Sequence, residues 1–253
     1  MNFKERTIVI TGAGKGIGAA CARAFHEEGA NIALLDIDET VADAEKDRWY
    51  FQTCNVADEA AVKQAMQAIY EKYGRIDCLI NNAGIQRYGT VTTTSSEEWD
   101  TVMNVNLKSM FLCAKYALPF MLRTNKGAVI NIASAQAFLS QQNVAAYTTA
   151  KTAVLGLTRS IAIDYAPGIR CVAVCPGTID TPMLRDAIAL SPDPGEVMQE
   201  CIDMHLVKRI GTPEEVAALI KFLCSDHAAF ITGQYYRIDG GLGITIAGSK
   251  KEN

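Results

Sequence analysis

The chain has 253 residues, 49% of them hydrophobic and 21% charged, with a net charge of −4. This is the composition of a globular protein, and a mildly acidic chain without a basic stripe argues against nucleic-acid partners. No run of about 18 apolar residues offers a membrane span, and the N-terminus lacks the apolar stretch and small-residue cleavage site of a secretory leader, so a cytoplasmic protein is expected.

In chain order, the first predicted strand is Thr7–Ile10. It runs into T-G-A-G-K-G-I-G, Thr11 to Gly18, and a helix over Ile17–Glu28 follows. Gly12, Gly16 and Gly18 lack a β-carbon, so the backbone can turn sharply and approach a pyrophosphate, while the helix start offers free N–H groups. Lys15 and Ile17 belong to the same expected cofactor loop. The spacing is G-x-x-x-G-x-G and the lysine of a nucleoside-triphosphatase loop is missing. The second strand, Asn31–Leu35, ends at Asp36, 18 residues after Gly18. A carboxylate there suits the adenosine ribose hydroxyls and repels the 2′-phosphate of NADP; it is also placed to cap a following helix. NAD is therefore the expected cofactor and NADP the lesser one, with Lys15 the residue that would welcome an extra phosphate.

Strands are expected next at Tyr50–Cys54, Cys78–Asn81, Ala128–Ile132, Arg170–Val174 and Tyr236–Ile238, and helices at Glu59–Tyr73 and Pro213–Ser225. The last helix opens T-P-E-E: an N-cap, a proline at the first helical position and acids at the positive helix end. Most strands are continuous apolar runs, as strands buried on both faces should be. The alternation predicts an α/β fold: a single Rossmann-like, doubly wound parallel sheet of about seven strands with helices on both faces. No repeat or linker divides residues 1–253, which read as one domain. The eight cysteines form no C-x-x-C pair and read as small buried hydrophobes of a reducing compartment. His26, His205 and His227 are isolated, so no metal site is expected.

Ligands of such sheets bind beyond the carboxyl ends of the strands. Ser134 follows the fifth strand, and Tyr147 and Lys151 come 13 and 17 residues later in A-A-Y-T-T-A-K. Asn106 lies in M-N-V-N-L-K, within a helical pattern. A tyrosine beside a snorkelling lysine is commonplace on its own. Together with N-N-A-G at 81–84 and P-G-T-I-D-T-P at 176–182, these pieces resemble the short-chain dehydrogenase/reductase family, from Thr11 to Asp239-Gly240-Gly241. The resemblance implies that Tyr147 is the general acid/base. Lys151, one turn on, would lower its pKa and bind the nicotinamide ribose. A unit charge at ~4 Å and an effective dielectric of ~20 contributes about 4 kcal/mol, enough to bring a phenol down toward neutral pH. Ser134 would hydrogen-bond the substrate oxygen, and Asn106 would hold a water of a proton relay. Asn81, Asn82 and Gly84 would border the adenosine side, Asn55 and Val56 the adenine. Pro176 and Gly177 would flank the nicotinamide, with the Ile179 backbone and the Thr181 hydroxyl on its carboxamide.

Residues 182–210 would form a substrate lid, broken by Pro192, Pro194 and Gly195. Gln86, Gln136, Gln141, Gln142, Asn143 and His205 give the expected pocket amides and an imidazole suited to a polyhydroxylated substrate. Arg87 and Arg185 are the alternative, for a carboxylate or phosphate. Closest in appearance are the aldose 1-dehydrogenases of the family, which implies hydride transfer between a sugar or polyol hydroxyl and NAD. The competing readings are a 3-oxoacyl reductase and a non-catalytic NAD-sensing protein. Helical segments 97–123 and 145–165 would pair subunits into a homotetramer, as the family implies. Residues 248–253 read as a polar frayed tail.

Overall fold

The computed structural model describes residues 1–38 and 47–244; the expected frayed tail lies outside the described residues. Seven strands form one parallel sheet: β1 (Thr7–Thr11), β2 (Asn31–Asp36), β3 (Trp49–Thr53), β4 (Cys78–Asn81), β5 (Gly127–Ile132), β6 (Ile169–Pro176) and β7 (Tyr235–Ile238). Their order is β3-β2-β1-β4-β5-β6-β7, every neighbouring pair parallel. The expected strands are all present, with ends shifted by one or two residues at most positions.

The continuous apolar runs follow from the two covered faces. Along β1 and β2, Ile8, Ile10, Ile32 and Leu34 face one core, shared with Phe25 of α1 (Gly16–His26). Ile220 of α8 (Pro213–Cys224) packs in the same layer. Val9, Ala33 and Leu35 alternate into the opposite core, against α2 (Glu59–Tyr73) and α4 (Ser109–Met121). A strand with a helix layer on each side must be apolar at every position, not every second one. α8 carries the expected proline start and acidic first turn, with Thr212 and Glu215 in a reciprocal capping box.

Chain direction across the sheet reverses between β1 and β4. The loop after β1 and the loop after β4 therefore open side by side at one edge of a crevice, where doubly wound sheets bind ligands. Three further helices are α3 (Ser96–Met103), which packs on α5 (Ala145–Tyr165), and α6 (Pro182–Ile188). α7 (Pro194–Asp203) lies between α6 and α8 and buries none of its residues fully. A π-helical turn, Asn104–Lys108, joins α3 to α4. Seven of the eight cysteines are buried and Cys201 is partly exposed; all are free thiols. Among the described residues, no helix is long and apolar enough to cross a membrane, and no cluster of potential metal ligands forms.

Candidate active site

The glycine loop is held open by its neighbours. Gly12 and Gly16 adopt φ of +61° and +57°, the left-handed region that glycine enters without strain. A β-carbon on Gly12 would stand 2.8 Å from the Cα of Ala83, and one on Gly18 would stand 2.8 Å from Asn82 Nδ2. Asn82 explains the close approach: its Nδ2 donates to the carbonyls of Thr11 at 3.1 Å and Gly12 at 2.9 Å. The Thr11 hydroxyl in turn accepts from the N–H groups of Asn82 and Ala83, both at 3.0 Å. These bonds buckle the two loops together across the crevice. Sequence reasoning placed Thr11 at the head of the glycine motif but gave its hydroxyl no role. Lys15, exposed, precedes α1 without capping it by its side chain, so the first N–H groups of the helix face the crevice unblocked by a cap. Ile17 packs partly into the core from the first turn.

Asp36 closes the far side of this cradle. Its Oδ2 accepts from Gly14 N–H at 2.7 Å and its Oδ1 from Asp38 N–H at 3.1 Å. The carboxylate thus sits against the glycine loop. Asn55 uses its Oδ1 to accept from Ala57 N–H at 3.0 Å, turning the chain ahead of α2, while Val56 is buried beneath. Asn81 does not border the cradle as expected. It is 1% exposed within β4, where its amide donates to Asn131 Oδ1 at 2.8 Å in the sheet interior. Successive strand residues point to opposite faces, so Asn81 and Asn82 cannot share a role.

On the other side of the crevice, Ser134, Tyr147 and Lys151 converge. Ser134 ends the run from β5 and its hydroxyl accepts from Gln136 N–H at 3.1 Å, capping a short 3₁₀ turn over Ala135–Ala137. The Ser134 hydroxyl also stands near enough to the Tyr147 phenol to favour its ionised form. Lys151 is only 3% exposed; its Nζ donates to the Ile132 carbonyl at 2.8 Å and lies 5.6 Å from the centre of the Tyr147 ring. Gly84 packs against both this lysine and Asn106: a β-carbon there would make ordinary contact with Lys151 Nζ at 3.5 Å but would clash with Asn106 Oδ1 at 2.8 Å.

The electrostatics correct one expectation. Burial pushes the Tyr147 phenol above its ordinary value, and the Ser134 hydrogen bond pulls it down by less. The nearby Tyr88 phenol, overlooked in the sequence, adds to the rise. Burial lowers Lys151 to about 8. The ammonium therefore does not by itself bring the phenol toward neutral pH, because desolvation costs both groups their charge. The Asn106 side chain is fixed by three hydrogen bonds. Its amide donates to the carbonyls of Ile85 at 2.9 Å and Val102 at 3.1 Å, and its Oδ1 accepts from Ile85 N–H at 3.0 Å. The side chain is committed to protein, fixing the strand-to-loop passage at Ile85; it has no N–H left to give a relay water.

Beyond β6, Pro176 is buried and Gly177 N–H donates to the Ile238 carbonyl at 3.0 Å. Ile179 is 7% exposed and forms a parallel bridge with Gly211, closed by Asp180 N–H and the Thr178 carbonyl, not by Ile179's own polar groups. The Thr181 hydroxyl caps α6 by accepting from Leu184 N–H at 3.4 Å, and its methyl lies where a β-carbon on Gly16 would come within 3.2 Å. This loop and the glycine loop thus face each other across the crevice. Gln136 bonds Gln141 Oε1 at 3.1 Å and accepts from the Thr148 hydroxyl at 3.4 Å; Gln86 is partly exposed nearby in sequence to Tyr88, and Gln142 is exposed. Asn143 takes φ of +60° and gives its carbonyl to Gly89 N–H at 2.7 Å. Arg185 is paired with Asp180 at 2.9 Å. His205 departs from the expected substrate group: it is 2% exposed, with both ring nitrogens bonded to backbone.

A glycine cradle beside an acidic residue, facing a serine, a tyrosine and a buried lysine, is the arrangement of a dinucleotide-dependent oxidoreductase. A family model described as enoyl-(acyl carrier protein) reductase matches residues 12–243. The chain belongs to the short-chain dehydrogenase/reductase family and is an enzyme that acts on CH–OH donors. The meso-2,3-butanediol dehydrogenase of Serratia marcescens is 38% identical over 247 residues, covering 95% of this chain and 96% of that protein. The ligand-free aldohexose dehydrogenase of Thermoplasma acidophilum superposes with a TM-score of 0.93 at 40% identity, covering 99% and 98% of the two chains. Levodione reductase superposes with a TM-score of 0.91 at 34% identity, covering 95% and 98%.

Proposed function

We propose that this enzyme oxidises a secondary hydroxyl of a sugar or polyol, with NAD as hydride acceptor. The observation that carries the reading is the convergence of Ser134, Tyr147 and buried Lys151 opposite a glycine cradle that Asp36 closes. The residues fit a dinucleotide: side chains at Gly12 and Gly18 would fill the cradle, and Asp36 brings negative charge to its ribose side. Gly12, Lys15, Gly16, Ile17 and Gly18 hold the pyrophosphate; Asn55 and Val56 border the adenine; Asn82 and Gly84 shape the floor. Pro176, Gly177, Ile179 and Thr181 take the nicotinamide end, and Tyr147 and Lys151 its ribose. Bound NAD supplies a hydride acceptor whose oxidised ring carries positive charge.

Tyr147 accepts the proton of the substrate hydroxyl, and Ser134 donates a hydrogen bond to the same oxygen. Lys151 places a cation behind the phenol. Asn106 positions Gly84 and Ile85 beside them. The amides of Gln86, Gln136 and Gln142 meet further hydroxyls, and the names of two relatives, a 2,3-butanediol dehydrogenase and an aldohexose dehydrogenase, support substrates with a second oxygen near the reacting carbon. Residues 182–210 act as a lid, the whole of 1–253 being one domain. Free, buried thiols support a reducing, cytoplasmic setting. Phe111 on α4 and Ile163 on α5, 48% and 77% exposed, support burial of these helices in a homotetramer.

Cofactor reduction measured over a panel of aldoses, polyols, diols and hydroxy acids tests the assignment. NADH should form fastest with polyhydroxylated substrates; tight NAD binding with no reduction anywhere in the panel would instead favour a sensing role. The Asp36→Ala variant should shift the NAD:NADP preference toward NADP by about tenfold or more, because a carboxylate facing a 2′-phosphate is removed. An unchanged ratio of kcat/KM values would place Asp36 outside the ribose site.

A further inference from the structure

Between β6 and α8 the chain makes an excursion whose two feet are fastened together. Gly211 N–H donates to the Thr178 carbonyl and Asp180 N–H to the Gly211 carbonyl, each at 2.9 Å. One side chain ties the end of α7 back to these feet. His205 Nδ1 lies 2.6 Å from the Cys201 carbonyl, and Thr178 N–H donates to Nε2 at 3.2 Å. A carbonyl only accepts and an amide N–H only donates. The ring must therefore carry its proton on Nδ1 and present a bare Nε2.

The ring lies close against two glycines. A β-carbon on Gly177 would stand 2.9 Å from Nε2, and one on Gly240 would stand 3.3 Å from Cδ2. Gly240 in turn accepts from Val207 N–H at 3.3 Å. His205 thus touches three separate segments: the last turn of α7, the loop after β6 and the turn after β7. Thr178, which it holds, is followed directly by Ile179 and, three residues on, by Thr181.

We propose that His205 is a positioning residue whose neutral imidazole, by linking Thr178 to the last turn of α7, holds residues 177–181 at the nicotinamide end of the cofactor site. The proposal rests on the reading of residues 176–181 given above. Without the bare nitrogen the Thr178 N–H loses its partner, and the segment that carries Ile179 and Thr181 is held only by its backbone bonds to Gly211 and Ile238. The adenosine half of the site, on β1, β2 and β4, is untouched by that change.

Fluorescence titrations with AMP, which reaches only the adenosine half, and with NADH, which reaches both, separate these effects. The variants are His205→Leu, His205→Asn and His205→Gln. Asn retains a donor toward Cys201 but falls short of Thr178; Gln extends an amide oxygen that accepts from Thr178. The Leu and Asn variants should lose NADH affinity by about tenfold, with AMP affinity within about twofold. Gln should recover NADH affinity to within about threefold of the wild type. Hydrogen exchange over residues 177–181 should quicken in the Asn variant and not in Gln. Equal losses for AMP and NADH, unchanged NADH affinity in the Asn variant, or a Gln variant as weak as Asn would each overturn the proposal. If melting shows that the Leu variant does not fold, the Asn and Gln pair decides. A wild type that binds neither nucleotide overturns the proposed function and this role together. Normal wild-type binding with unaltered variants overturns this role alone.

Discussion

The Tyr147→Phe enzyme is expected to keep NAD affinity within a few-fold, since Lys151 still meets the ribose, and to turn over at least about 10²–10⁴-fold more slowly, the contribution of a positioned general acid/base. The substitution removes one oxygen and keeps the ring, so packing against Lys151 survives. The lost group is the hydroxyl that Ser134 stands beside. Ser134 keeps its bond from Gln136 N–H at 3.1 Å, so the 3₁₀ turn stays capped and the fold has little reason to change. The expected signature is a loss confined to kcat, since the phenol's proton transfer belongs to the transition state. Steady-state kinetics with parallel NAD titrations check it. Residual turnover within a few-fold of the wild type would remove Tyr147 from its role.

Gly18→Ala should damage the other half of the site. The new methyl would fall on the Gly12 carbonyl, within 2.8 Å of Asn82 Nδ2 and 3.0 Å of the Ala13 Cα. Two of these neighbours are backbone of the cradle, and the third is the amide that holds the two loops together. None is a flexible chain end that can swing away, so the loop must shift. Overpacking of this kind costs about 1–3 kcal/mol of stability. The same shift changes the approach of the first α1 N–H groups to a phosphate, and affinity for NAD should fall by at least about tenfold. Thermal melts and titrations with ADP-ribose measure the two effects. A variant of wild-type stability and affinity would show that the cradle tolerates a side chain where the geometry forbids one.

The fold was legible because both faces of the sheet are covered. Ile8 and Val9, or Ile32 and Ala33, go to opposite cores, and the sequence shows their sum as an unbroken apolar run. The cradle was legible for a related reason: at Gly12 the positive φ comes with a β-carbon clash against Ala83, which together exclude a side chain. What failed was whatever depends on the direction of a single side chain. Asn81 and Asn82 are adjacent and chemically identical, yet strand parity sends one into the sheet and the other to the glycine loop. Asn106 could be placed near the site from its motif, but the π-turn that aims its amide at Ile85 and Val102 has no residue signature. His205 looked like a pocket residue because an isolated histidine carries no sign of burial; its partners are backbone atoms of Thr178 and Cys201, which spacing alone does not reveal. The Tyr147 and Lys151 spacing was read correctly as a contact. Its electrostatic consequence was not, since the burial of both groups depends on how the folded chain packs around them.

That consequence sets the sharpest test. Burial leaves the phenol above its ordinary value and the amine at about 8, so the charge that makes Tyr147 usable must come from Lys151 acting together with oxidised cofactor. Carbon-13 NMR of ring-labelled tyrosine, with Tyr147→Phe to assign the resonance, follows this ionisation directly. The protein alone should show Tyr147 titrating above the ordinary ~10, and the NAD complex should bring it well below that value. A Tyr147 resonance that stays protonated to the same high pH in the NAD complex would contradict the account.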